Sequence, residues 1–253
     1  MTVQLSAFTC GHLTIPLSFM LAGREGHVKV PITSYVIDHP RGRVMFDTGL
    51  HVASQVDPAS HLGDFLSAFH EFDYGAGEDV AARLTDIEVD PLSVTHVVNS
   101  HLHFDHCGGN ALLPNATVIL QRREVEAASG GDESRGYVRA DFETGQPFHL
   151  IDGEHDLFGD GSIVLFPSYG HTPGHQSMRV RTSTGSEYVL CGDACYLRES
   201  LESLTLPGVI DNAEAALASL QQFRRLRASG SRILFGHDLE FWAGVPQAPA
   251  VLG

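Results

Sequence analysis

Ser100-His101-Leu102-His103-Phe104-Asp105-His106-Cys107-Gly108-Gly109 directly follows the β-branched run Val94 to Val98. In an extended chain alternate side chains share a face, so His101, His103 and Asp105 point one way while Leu102 and Phe104 anchor the other side in a core. His106 follows as the chain turns. Imidazole nitrogen and carboxylate oxygen are ligands that a borderline divalent cation accepts, and a strand end holds them with little freedom left to lose. A chain of this composition yields H-x-H-x-D-H by chance roughly 0.003 times, so the run reads as a metal-binding segment. The chain holds 15 histidines in 253 residues, a high count, and some of them converge here.

Working outward, further strand signals are short β-branched or aromatic runs: Val3 to Thr9, Ile32 to Ile37, Arg43 to Phe46, Thr117 to Leu120, Ile163 to Phe166, Met178 to Arg181, Tyr188 to Leu190 and Arg232 to Phe235. Helical patterns lie at Glu78 to Leu84, Arg122 to Ala128 and Ala213 to Arg227. The last sets Leu217, Leu220, Phe223 and Leu226 roughly on one face, with Asp211 or Asn212 as its cap and Gly230 as its end. Several neighbouring strands are joined by turns too short for a crossover helix, so antiparallel and parallel pairing are both expected. The fold class is α/β in the broad sense that includes α+β, a layered structure built on sheets. Val44-Met45-Phe46-Asp47-Thr48-Gly49 and Val189-Leu190-Cys191-Gly192-Asp193-Ala194 both read as a buried strand delivering an aspartate into a turn, an echo of two similar halves. No linker or repeat divides the chain, which reads as one domain over residues 1–253. Leu62, Phe65, Leu66 and Phe69 fall at helical spacing, as a helix packed on the core or, alternatively, a wall of a substrate pocket.

Three later positions complete the ligand pattern. Gly170-His171-Thr172-Pro173-Gly174-His175 puts a histidine in a tight Gly/Pro turn after a strand, Gly192-Asp193-Ala194 ends another strand with a carboxylate, and Gly236-His237-Asp238 ends the last with a histidine. Strand-end loops collect on one edge of a sheet, so all three can reach the first cluster. Five histidines and two aspartates suffice for two cations with open positions.

Composition narrows the partners. Sixteen Lys and Arg against 31 Asp and Glu leave a formal charge of −15, which repels phosphate backbones and anionic lipid, so neither nucleic acid nor a membrane is expected. At 43% hydrophobic and 19% charged, disorder and fibrous structures are excluded. The apolar stretch Leu13 to Ala22 is interrupted by Pro16, precedes the first basic residue, Arg24, and is too short to span a bilayer. Cys10, Cys107, Cys191 and Cys195 form no C-x-x-C pair or disulfide framework, which suits a reducing compartment, and a cytoplasmic protein is expected. The oligomeric state stays open, a homodimer included.

The H-x-H-x-D-H run with a later His, Asp and His, in the same order from about Asp47 to Asp238, resembles the metallo-β-lactamase-fold hydrolases. That resemblance implies an αβ/βα sandwich of two mixed β-sheets flanked by helices. Within the superfamily, S-H-L-H-F-D-H-x-G-G, G-H-x-P-G-H-Q-S over Gly170 to Ser177, and D-A-x-Y over Asp193-Ala194-Cys195-Tyr196 are most similar to the N-acyl homoserine lactone lactonases. Position by position, the resemblance implies that His101, His103 and His171 hold one metal, Asp105, His106 and His237 the other, and Asp193 bridges them. It leaves His175 outside, with a hydrogen bond within its turn as the expected role. Asp47 and Asp238 are candidates for orienting ligand imidazoles or for capping turns. Cys107, Cys191 and Cys195 have no metal role and are expected as small buried fillers.

The implied activity is that of a metal-dependent hydrolase of carboxylic ester bonds, a lactonase with two divalent ions. Zn²⁺ comes first, and Mn²⁺, Co²⁺ and Fe²⁺ suit the same N/O ligands. Two cations sharing a water lower its pKa and present a bridging hydroxide to the carbonyl of a small-molecule lactone. Tyr196 would support the oxyanion, and Asp105 would carry the proton to the ring-oxygen leaving group. N-acyl homoserine lactones, the quorum signals whose opening is quorum quenching, are the expected substrates. The alternatives are simple lactones of the γ-butyrolactone type, a glyoxalase II-like thioesterase, and, from a different class, a non-hydrolytic diiron redox protein. Thioesterases of the glyoxalase II type are not marked by the tyrosine at Tyr196, and diiron oxidoreductases usually carry glutamate where this chain has His103. Phe19-Met20-Leu21, Phe65, Phe69, Phe72 and Tyr74 offer an apolar wall for an acyl tail.

Overall fold

A computed structural model describes residues 2–130 and 135–253. The β-branched runs pair into two sheets. In the first, β1 (Gln4–Pro16), β2 (His27–His39) and β3 (Gly42–Phe46) form an antiparallel meander, with β4 (Glu71–Asp73) on the free edge of β1. From β3 the sheet continues in parallel through β5 (Val94–Val98), β6 (Thr117–Gln121) and β7 (Phe148–Ile151). In the second, β8 (His155–Asp156), β9 (Ile163–Pro167), β10 (Gln176–Arg181) and β11 (Glu187–Leu190) alternate in direction, and β12 (Arg232–Leu234) joins β11 in parallel. Both sheets are therefore mixed. Helices α1 (Leu17–Met20), α2 (Pro58–Ser67), α3 (Val80–Asp86), α4 (Phe104–Cys107), α5 (Arg122–Ser129) and α6 (Arg139–Phe142) are interspersed among the strands of the first sheet. Helices α7 (Arg198–Ser203), α8 (Ala213–Ala228) and α9 (Leu239–Trp242) accompany the last strands of the second.

Strands covered on both faces read as unbroken apolar runs, because successive side chains feed opposite layers. Val98 and Ile119 join Leu5 and Phe46 against Leu165, Met178 and Leu190 between the sheets. Their neighbours Val97 and Leu120 face the other way, onto Val80 and Leu84 of α3 and Ala128 of α5. On the far face of the second sheet, Phe166, Val189 and Ile233 meet Leu220 and Phe223 of α8. The layers run helix, sheet, sheet, helix, which is the expected αβ/βα sandwich. Asn212, not Asp211, caps α8 by accepting from the Ala215 backbone N–H.

Three strands lack a sequence signal. β4, β7 and β8 are four residues or fewer and carry charged or imidazole side chains that break any short apolar run. The first strand also runs past Thr9, through an irregularity between Thr9 and His12, to Pro16. Strands β9, β11 and β12 point one way and, like β3 and β5, each ends in a turn that carries a candidate site residue. No helix among the described residues is long and apolar enough to cross a membrane.

Phe46 is 1% exposed and sits between the two sheets. Phe46→Ala is expected to lower unfolding stability by about 3–5 kcal/mol, read from urea denaturation. A loss below about 1 kcal/mol would mean that the inter-sheet layer is not the main core.

Candidate metal centre

Two groups of side chains converge at the strand ends and share one member. His101, His103, His171 and Asp193 bring ligand atoms within 4.8 Å of one another, and Asp105, His106, Asp193 and His237 do the same. His171 Nε2 lies 3.2 Å from His101 Nε2 and 3.1 Å from His103 Nδ1. Asp193 Oδ2 faces this group at 3.4 Å from His171 Nε2. Its Oδ1 faces the other group, 3.1 Å from His106 Nε2 and 3.0 Å from His237 Nε2. Asp105 Oδ2 completes that group at 3.5 Å and 3.7 Å from the same two nitrogens.

Hydrogen bonding accounts for only part of this packing. Asp193 Oδ1 and His106 Nε2 are buried, and neither has a hydrogen-bond partner despite their short separation. An orphaned buried polar atom costs about 1–3 kcal/mol. Ligands about 2.0–2.1 Å from a tetrahedral cation lie about 3.3 Å from each other, close to the spacing within the first group. Burial and the neighbouring imidazoles pull His101 well below its ordinary pKa and His103 down to about 3, so both keep free lone pairs. Burial opposes ionisation of Asp193, yet His106 and His237 beside it hold its carboxyl well below the usual range. Burial likewise opposes charge on His106, but Asp193, Asp105 and Asp47 outweigh it and raise its pKa. The centre draws positive charge to the space between these groups, and its nitrogen and oxygen donors fit a pair of divalent cations.

The surrounding hydrogen bonds fix each ring. Asp47 Oδ1 accepts from the Ser100 backbone N–H at 2.7 Å, and its Oδ2 accepts from Ser100 Oγ at 2.9 Å. The same Oδ2 lies 2.9 Å from His106 Nδ1, which leaves Nε2 for the centre. His237 Nδ1 donates to the Pro31 carbonyl at 2.8 Å. His175 stays outside both groups. Its Nδ1 meets Ser168 Oγ at 2.8 Å, within its own turn, while its Nε2 accepts from the Asp193 backbone N–H at 3.0 Å. Gly192, at φ +54°, allows that approach, since a Cβ there would lie 2.9 Å from His175 Nε2. Asp238 orients no imidazole; it caps α9 through Phe241 N and accepts from Arg198 N. The four cysteines are buried and free, and burial raises the Cys107 and Cys191 thiols well above their usual range.

The Metallo-beta-lactamase superfamily pattern matches residues 28–237. The chain belongs to the metallo-beta-lactamase superfamily. Within that superfamily it is 33% identical to the N-acyl homoserine lactonase AttM of Azorhizobium caulinodans, over 91% of this chain and 90% of the relative. It is 27% identical to the N-acyl homoserine lactonase AiiA of Bacillus thuringiensis subsp. kurstaki, over 84% and 83%. A solved N-acyl homoserine lactone hydrolase, with the product N-hexanoyl-L-homoserine at its catalytic metal centre, superposes with a TM-score of 0.90 at 26% identity, over 100% of both chains.

The centre opens into a cavity of about 360 Å³, with Asp105, His171 and Tyr196 among its lining. Phe19, Met20, Phe65 and Phe69 also line it, whereas Leu21, Phe72 and Tyr74 do not. Tyr74 turns into the core, where its hydroxyl donates to the Leu50 carbonyl. Helix α2 and the turn after it serve both expected purposes: Leu62 faces the core, while Phe65 in the helix and Phe69 just past its end face the cavity. A third group, His51, His61 and Asp141, has ligand atoms equally close, but the two rings stack in parallel, 4.0 Å apart at 9°. A cation in the plane of one ring lies outside the plane of the other, so this group acts as a strut, with His61 bonded to Asp141 at 2.7 Å.

Sequence reasoning missed the buried carboxylate of Glu124, which accepts from both histidine loops. Its one signal is an acidic residue in an otherwise ordinary amphipathic helix. For Asp47, replacement by Asn sets an amide against the His106 ring proton. Asp47→Asn is therefore expected to weaken metal binding roughly 10–100-fold, measured by chelator competition; unchanged affinity would contradict the orienting role.

Proposed function

We propose that the chain is a metal-dependent hydrolase that opens the ring of N-acyl homoserine lactones, a quorum-quenching lactonase, and that residues 1–253 form a single domain. The observation that carries this reading is that both His/Asp groups meet the floor of one cavity whose other walls are mostly apolar, with His70 and Arg135 as the polar exceptions apart from Tyr196. A lactone head at the floor and an acyl tail along Phe19, Phe65 and Phe69 match that division of polarity. The likeness to curated lactonases over nine-tenths of the chain supports the same substrate class. A cytoplasmic location is supported by the four free cysteines.

His101, His103 and His171 would hold one cation, Asp105, His106 and His237 the other, with Asp193 between them. Zn²⁺ is the proposed metal, and when bound the pair supplies Lewis-acid polarisation of the ester carbonyl and a water of lowered pKa. With Nε2 turned to the centre, His171 keeps its ring proton on Nδ1, which lies 3.1 Å from Tyr196 Oη. The phenol oxygen accepts that proton's hydrogen bond, and the phenol's own hydrogen is free for the oxyanion of the substrate. Burial, reinforced by the charges of Asp193 and Asp105, pushes the Tyr196 pKa well up, so the residue remains a donor. Asp105 lies in the first turn of α4 on the cavity wall, with its side chain 15% exposed. From there it takes up a proton and delivers it to the ring oxygen as the ester C–O bond breaks, giving the open-chain hydroxy acid.

Proton release on ring opening, followed with a pH indicator, tests the assignment. Metal-loaded protein is expected to open N-hexanoyl homoserine lactone faster than γ-butyrolactone or an S-acyl thioester. No lactone turnover would sink the assignment, and preference for the thioester would move the protein to the thioesterases. Asp105→Asn is expected to lower kcat by at least about 10²-fold; a wild-type rate would remove Asp105 from the proton path.

A further inference from the structure

Asp47 braces the His106 side of the centre, and a different carboxylate serves the other side. Glu124 of α5 is fully buried, yet none of its four hydrogen-bond partners is a basic group. Its Oε1 accepts from the Leu102 backbone N–H at 3.0 Å and Tyr137 Oη at 3.2 Å. Its Oε2 accepts from Thr172 Oγ1 at 2.7 Å and the Gly174 backbone N–H at 3.0 Å. Leu102 separates His101 from His103, Thr172 follows His171, and the Tyr137 ring stands edge-on to His103 with centroids 4.9 Å apart. The α5 backbone also closes on the histidine turn, since a Cβ on Gly174 would lie 2.2 Å from Glu124 N.

We propose that Glu124 is a positioning residue that fixes His101, His103 and His171 through these four bonds and thereby sets the affinity of the first cation site. The proposal rests on the two-cation reading of the centre. Four donors converge on Glu124, and an ionised carboxylate is acceptor-only at both oxygens. Glutamine has the same shape but turns an amide NH₂ toward two of those donors. Burying a charge without a counter-charge is costly, so an apolar filler would serve packing better; what the carboxylate adds is direction. That direction is visible in the ligand run itself. The Ser100 N–H is taken by Asp47 and the Leu102 N–H by Glu124, so the backbone on either side of His101 is held by a buried carboxylate.

Zn²⁺ titration of the whole protein against a competing chelator, with elemental analysis for stoichiometry, tests this. Wild type is expected to bind two ions. Glu124→Gln is expected to weaken one of them about 10–100-fold, the same ion that His103→Ala releases, and to leave the other unchanged. Excess Zn²⁺ should then restore kcat/KM, which it would not do for a general loss of structure. Thr172→Val and Tyr137→Phe remove one bond each and should give smaller losses at the same ion. Wild-type affinity for both ions in Glu124→Gln, equal loss at both, or turnover that excess Zn²⁺ does not restore would overturn the proposal. If Glu124→Gln does not fold, unchanged affinities in both milder variants overturn it. Fewer than two ions on wild type would instead defeat the two-cation reading, a separate failure visible before any variant is made.

Discussion

Five imidazoles and two carboxylates occupy one buried volume at the strand ends, and such a gathering persists only if positive charge and directed donors compensate it. His171 Nε2 faces both His101 Nε2 and His103 Nδ1, more nitrogens than one ring proton can serve, and Asp193 Oδ1 and His106 Nε2 are left without partners. Every neighbouring feature follows from that constraint. The outer nitrogens of His106 and His237 are committed to Asp47 and the Pro31 carbonyl, and that of His171 lies against Tyr196 Oη. Their inner nitrogens therefore present lone pairs to one place.

The strands supply the rest of the rigidity. A loop alone would have to lose conformational entropy to bring these groups together, whereas here each ligand turn leaves a strand already fixed by its neighbours. Beyond the strand, the backbone N–H groups have no ladder to join, and buried ones need acceptors. Asp47 takes that of Ser100, Glu124 those of Leu102 and Gly174, and His175 that of Asp193. The polar residues around the centre thus satisfy the backbone and aim the ligands with the same bonds.

Legibility in the sequence follows locality. The run from His101 to His106 could be read because its ligands lie within one extended segment and one turn, and the long strands because their periods persist. Asp47 was legible as a strand-end carboxylate, though its choice between capping and orienting needed the distance to His106. Glu124 was not, because its partners Leu102, Tyr137, Thr172 and Gly174 lie 13 to 50 residues away, and an acidic residue on a helix is ordinarily solvated. Phe72 and Tyr74 misled for a related reason. Composition marks them as apolar, but Phe72 lies on β4 and packs on the core, Tyr74 follows that strand into the core, and neither faces the cavity.

The cavity shows where the fold departs from what packing alone would select. Phe65, Phe69 and Val209 are 59%, 44% and 47% exposed, and all three line this cavity. Exposed apolar side chains gathered in one place are unfavourable for a soluble chain unless a ligand covers them. The polar centre needs the opposite environment from that rim, ordered donors in a place water reaches poorly. Their adjacency suits a substrate that is itself divided, a compact polar ring joined to an apolar chain. Burial of the chain then contributes binding energy, while the ring is left at the floor among groups whose directions are already fixed.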